Sequence, residues 1–120
     1  MFILNEDQSI YCTRGDAMAF VVPTEYSFRK DDIVRFQVFK KKDCAEVVLR
    51  KDFTVTEDAE RFEIVLTGDD TKFGAIISKP TDYWYEVELN PYDHPQTIIG
   101  YDEDGAKIFK LFPEGNGVAV

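Results

Sequence analysis

Apolar side chains recur at every second position from Val34 through Phe36 to Val38, and again from Tyr83 through Tyr85 and Val87 to Leu89. That period fits an extended strand with one buried face and would scatter the same residues around a helix, so it restricts the chain to β-structure more firmly than anything else in it. No segment of ten or more residues carries an apolar stripe at helical spacing.

Turn residues cut the chain into short strand-like runs. Ser9 to Thr13 ends at Arg14-Gly15-Asp16, and Ala17 to Val22 ends at Pro23, whose missing N–H closes a ladder or marks an edge. Asp31-Asp32 opens the clearest strand, with Val34, Phe36 and Val38 predicted inward and Arg35, Gln37 and Phe39 on a largely wet face. After the charged turn Lys40 to Asp43 come Glu46 to Lys51 and Phe53 to Thr56, read as one strand with a bulge between the two parts. In Glu60 to Thr67, Phe62, Ile64 and Leu66 point in. Gly68 to Thr71 breaks that run, and Thr71 to Ile77 is read as one short helical turn. Asp82 to Asn90 follows, with Trp84, Glu86 and Glu88 on its polar side, then Gln96 to Tyr101. The hairpin signal Asp104-Gly105 leads into Ala106 to Phe112. The sum is an all-β protein, an antiparallel β-sandwich (immunoglobulin-like or similar) of about seven or eight strands.

Length and composition agree with a single domain over 1–120. With 120 residues, 44% of them hydrophobic, the chain has the material for one core and too little for two. Residues 1–7 and 113–120 are expected to fray. A net charge of −9 repels phosphate backbones and anionic headgroups, so neither nucleic acid nor a membrane surface is an expected partner. No apolar run reaches the length of a bilayer span, and the start turns acidic at Glu6-Asp7 before a signal core forms, so a cytoplasmic location is expected. The two cysteines, Cys12 and Cys44, are too few for a disulfide framework and read as reduced thiols packed as small hydrophobes.

The residues that carry chemistry elsewhere do not assemble into a motif. The single histidine, His94, sits between Asp93 and Pro95 in a loop without a nucleophile pattern near it. Zinc ligation is not expected, because Cys12, Cys44 and His94 share no spacing. Asp102-Glu103-Asp104-Gly105 opens like a calcium loop, but Pro113 stands where the bidentate glutamate belongs, and a hairpin turn explains it better. Asp31-Asp32 and Asp69-Asp70 read as turn acids. Arg14-Gly15-Asp16 spells an adhesion tripeptide and reads as a tight turn in which glycine supplies an unusual φ. No glycine-rich phosphate loop occurs. What stands out is an aromatic spot on a polar sheet face. Trp84 and the outward Phe39, with Glu86 and Glu88, form the candidate contact surface, since aromatic anchors dominate interface energies.

Taken in order, several segments resemble a family of small β-sandwich domains from phage and prophage tail regions, related to the N-terminal domain of the phage baseplate upper protein. Ser9-Ile10-Tyr11-Cys12-Thr13-Arg14-Gly15-Asp16 is similar to that family's opening strand and turn. Phe28 through Val38 resembles its turn-plus-strand element, with Lys30 and Asp31 where Pro-Gly or Asp-Gly is usual. Ile64 through Thr71 resembles a strand ending in an acidic-acidic-Thr step. Tyr83 through Leu89 and Gln96 through Gly100 resemble its Tyr-x-Tyr strand and the Thr-Ile-Ile strand after it, with Thr81-Asp82 in place of the usual glycine. The resemblance implies a non-enzymatic tail or baseplate component without a cofactor. It would pack against itself or neighbouring tail proteins, in the cytoplasm of a bacterial host during assembly and in the virion. The alternative is a small carbohydrate- or peptide-binding β-sandwich module using Trp84, Tyr101 and Phe39 as a platform.

Overall fold

A computed structural model of the chain describes residues 1–22, 25–43 and 45–114. Nine strands follow in order: β1 (Phe2–Leu4), β2 (Ile10–Thr13), β3 (Met18–Val21), β4 (Ile33–Phe39), β5 (Val47–Thr54), β6 (Glu63–Leu66), β7 (Thr81–Leu89), β8 (Gln96–Ile99) and β9 (Lys107–Phe112). Seven form one sheet in the order β1-β2-β9-β7-β4-β5, with β8 also paired to β7, and β3 and β6 form a two-stranded ribbon. All-β structure in two layers was legible in the period-two pattern.

Four particulars differ from the sequence reading. Phe2–Leu4, expected to fray, pairs antiparallel with β2, Phe2 opposite Cys12 and Leu4 opposite Ile10. The sheet is mixed, because β2 runs parallel to β9 from Ile10–Phe109 to Thr13–Phe112. β5 is continuous, and the register shift lies between Val38 and Phe39 of its neighbour β4. Among the described residues there is no helix over Thr71 to Ile77. The turn comes earlier, where the Thr71 N–H reaches the Thr67 carbonyl at 3.3 Å and the Lys72 N–H reaches Asp69 at 3.2 Å.

β7 organises the large sheet. One edge pairs with β4 from Val34–Leu89 to Phe39–Trp84. The other edge is shared, Thr81 to Tyr85 with β9 and Val87 to Leu89 with β8. Its inward residues Tyr83, Tyr85, Val87 and Leu89 are buried and meet Val34, Phe36 and Val38 of β4 and Phe109 and Leu111 of β9. The ribbon closes this face with Met18, Phe20, Ile64 and Leu66. Phe36, fully buried, lies 5.6 Å from the Tyr85 ring and 6.3 Å from both Phe20 and Phe109, in the range where aromatic pairs gain beyond their area.

Arg14-Gly15-Asp16 is a tight turn turned inward. Gly15 has φ of +91°, and its N–H donates to the Thr71 hydroxyl at 3.0 Å, while that hydroxyl donates to the Asp16 carbonyl at 2.8 Å. The Arg14 guanidinium is held by Glu114 at 2.9 Å and by the Lys72 carbonyl at 3.0 Å. A guanidinium clamped this way is not offered to a receptor. Asp102 to Gly105 is the expected hairpin turn, with Gly105 at φ +97° and its N–H 2.9 Å from the Asp102 carbonyl.

Cys12 is fully buried on β2, and desolvation, then the nearby Asp16, push its thiol up to about 11. Cys44 lies outside the described residues. With an ordinary thiol near 9, the thiolate fraction of Cys12 at pH 8 falls about 100-fold. Labelling of the folded chain by a thiol reagent should therefore leave Cys12 at least that much slower than in the urea-unfolded chain, a rate that peptide mapping resolves residue by residue. Equal rates would contradict the placement of Cys12 in the core.

Candidate contact surface

The outer face of the large sheet is set by the register of its central strands. Pairing of β4 with β7 places Phe39 opposite Trp84, Gln37 opposite Glu86 and Arg35 opposite Glu88. The four candidate contact residues therefore do share one face. Pairing of β4 with β5 adds Arg50 opposite Gln37 and Asp52 opposite Arg35.

This face is not the wet one expected. Arg35 is 9% exposed, Gln37 5% and Phe39 4%, so β4 is buried on both sides from Val34 to Phe39. The physical reason is that each polar group is matched by a neighbour on the face. Arg35 donates from Nε to Asp52 Oδ1 at 2.8 Å and from a terminal nitrogen to Asp52 Oδ2 at 3.1 Å, a two-pronged pair. Tyr92, in the β7–β8 loop, folds back over it. Its ring lies 4.7 Å from the guanidinium carbon, and its hydroxyl meets Arg35 and donates to Asp52 Oδ2 at 3.0 Å. Gln37 bridges the next rung, accepting from Arg50 Nε at 2.8 Å and donating to Glu86 Oε1 at 3.2 Å. The Arg35 bond above all holds the Asp52 carboxyl below the ordinary range, and the same bond raises Arg35.

Trp84 and Phe39 end the ladder on an apolar note. Trp84, opposite Ile108 on its other side, is half-buried, whereas Phe39 lies under cover and presents no ring face to solvent. Tyr101 is 74% exposed in the β8–β9 connection. A three-ring platform of Trp84, Tyr101 and Phe39 thus loses Phe39. His94 is exposed in the β7–β8 loop, its Nδ1 3.0 Å from Asp93. Among the described residues no three His, Cys, Asp or Glu side chains stand where they would hold a metal ion. No helix among them is long and apolar enough to cross a membrane.

Glu86 and Glu88 stand two apart on the same face, and both are half-buried. Burial first, then the Glu88 charge, raise the Glu86 carboxyl above its ordinary value. A carboxyl raised in the folded state favours folding while protonated, and that contribution is lost as pH rises through its folded value. Glu86→Gln keeps the acceptor for Gln37 and removes the charge. It should raise the urea midpoint at pH 7, with the gain vanishing near pH 3, where Glu86 itself is protonated. A variant less stable than the parent at pH 7 would contradict this reading.

Comparison with known proteins adds no family to this geometry. No protein-family model, curated protein or solved structure matches the chain. Arg50, Asp52 and Tyr92 have no place on this face in the sequence pattern, and Arg35 and Gln37, expected on it as solvent-facing residues, are buried. One signal for them exists in the sequence. About a hairpin centred between Asp43 and Cys44, Arg35 mirrors Asp52 and Gln37 mirrors Arg50.

Proposed function

We propose that the chain is a non-enzymatic structural or assembly protein of a phage or prophage particle, a tail or baseplate component that works through protein–protein contacts. The observation that carries this reading is the outer sheet face. It is a hydrogen-bonded ladder that ends in a half-buried tryptophan and reaches β5, whose outer edge meets no strand among the described residues, which suits docking more than turnover. The ordered resemblance to tail-region β-sandwich domains supplies the particle. Strand order supports reading the sandwich as immunoglobulin-like. β4, β7 and β9 follow the C, F and G order, with β5 in the place of C′, and the β3–β6 pair faces them as B and E do.

The test is composition and assembly together. Particles purified from an induced host carrying the gene should contain the chain at a fixed ratio to the other tail proteins. A folded Trp84→Ala variant supplied in place of the parent should reduce that ratio at least about tenfold, the loss typical of an interface anchor. Particles that lack the parent chain would overturn the assignment. A second reading, a carbohydrate-binding module, is favoured by the exposure of Tyr101 and Tyr92 and would show itself as binding on a glycan array.

A further inference from the structure

We propose that a second copy of this chain pairs with β5 edge to edge, antiparallel about a two-fold axis at Lys51, joining two large sheets into one. This rests on the reading of the chain as a contact protein and names one partner and its register.

Main-chain bonds at the ends of the strands fix which groups face the free edge. Val55 donates to the Asp32 carbonyl and accepts from the Asp31 N–H, both at 2.8 Å, so Leu49, Lys51 and Phe53, on that side of the register shift, face β4. The Asn90 N–H bonds the Ile33 carbonyl at 2.7 Å, which turns odd residues of β4 toward β7 and agrees with that phase. Arg50, Asp52 and Thr54 therefore direct N–H and C=O groups to the open side, where no strand among the described residues meets them.

Charge then selects the register. Two-fold antiparallel pairing must match even residues with even residues. Shifted one way it sets Arg50 against Arg50 of the second copy, and shifted the other way Asp52 against Asp52. Only the middle register sets Arg50 against Asp52, and it does so twice. Among the described residues Arg50 donates only its Nε, to Gln37, which leaves its terminal nitrogens for that carboxylate. On the opposite face the same register pairs half-buried Leu49 with Phe53 of the second copy, again twice. Two hydrogen-bonded pairs at Arg50–Asp52 supply about four main-chain bonds.

A lysine at the centre of an edge commonly guards it against such pairing. Here Lys51 is drawn back across its own sandwich, its Nζ 2.6 Å from Asp70 and 5.5 Å from the Phe53 ring, so the two lysines at the axis arrive neutralised. The net charge of −9 opposes association at long range, but at 0.15 M salt its reach is about 8 Å. The strand that meets the second copy carries Arg50 and Lys51 against Asp52 alone.

Sedimentation equilibrium at 0.15 M salt should show a monomer–dimer equilibrium at micromolar concentration. Arg50→Glu places like charges opposite each other twice and should weaken it about tenfold or more. Mixing Arg50→Glu with Asp52→Arg should restore pairing that neither variant has alone. Because Asp52→Arg also disturbs the Arg35 pair and can fail to fold, a second route uses disulfides. Lys51→Cys should give an oxidised dimer absent from the parent chain, since directly opposite residues outside the hydrogen-bonded pairs have Cα atoms about 4.5 Å apart. Arg50→Cys should not. A parent that stays monomeric at 100-fold higher concentration, a dimer indifferent to Arg50→Glu, or readier cross-linking of the Arg50→Cys variant than of the Lys51→Cys variant would each overturn the proposal. A monomeric parent still found in tail particles would sink the pairing and leave the functional reading standing. A dimer missing from particles would do the reverse.

Discussion

Replacing Phe36 with alanine should lower the unfolding free energy by about 3–5 kcal/mol, the range for a large aromatic removed from a packed core. Phe36 is fully buried at the centre of the large sheet and touches rings from three other strands, Phe20 of the ribbon, Tyr85 of β7 and Phe109 of β9. Its loss opens a cavity that neither layer can close, since the ribbon is held to the sheet by those same contacts. A domain of this size has only about 5–15 kcal/mol of stability in total, so the variant should be partly unfolded at 37 °C. Urea denaturation followed by Trp84 fluorescence measures it, Trp84 being the single tryptophan. A cost below about 1 kcal/mol would mean that the ribbon does not close over β4.

Asp52→Ala should cost about 2 kcal/mol, more than its position on an edge strand suggests. Removing the carboxylate leaves the Arg35 guanidinium, only 9% exposed, with the Tyr92 hydroxyl as its remaining hydrogen-bond partner among the described residues and the Glu88 charge across the strand pair. An orphaned buried charge costs about 3–5 kcal/mol, and the figure here is discounted because Asp52 is a third exposed. The pH dependence has a definite sign. The Arg35 bond depresses the Asp52 carboxyl in the folded state, so its contribution is present above the unfolded value near 4 and is lost as pH falls through the folded value. Between pH 5 and pH 2 the parent should therefore lose stability that Asp52→Ala has already lost, and the two denaturation midpoints should converge. Replacing Arg35 and Asp52 together with methionine and leucine should recover most of the loss, because neither charge is then stranded.

The period-two pattern made the layers legible because one buried face imposes alternation wherever it occurs, as in Val34-Phe36-Val38 and Tyr83-Tyr85-Val87-Leu89. It failed on β4 for a definite reason. Alternation tells which residues face the core, and it carries no information on what crosses the other face. Arg35 and Gln37 look solvent-bound from sequence and are buried because Asp52, Arg50, Glu86 and Tyr92 come from three other segments to match them. Phe2–Leu4 pairs with β2 where fraying is expected, because three residues are too few to show a period. The parallel β2–β9 pairing joins segments about a hundred residues apart, which no local signal encodes. Trp84, Glu86 and Glu88 share a face by their even spacing along β7, and it is the β4–β7 register, which no local signal encodes, that sets Phe39 opposite Trp84. What the structure changed is their standing, with Trp84 as the half-buried end of the ladder and Phe39, opposite it, buried.

Hydrogen exchange resolved by residue, on the dilute chain and on the chain within purified tail particles, tests most directly whether this protein works through the rim of its large sheet. Amides of β4 and β7 should exchange only by global unfolding in both states. Those of Arg50, Asp52 and Thr54 should exchange freely in the dilute chain and become protected in the particle. Protection gained on the β3–β6 ribbon, with the β5 edge unchanged, would contradict it.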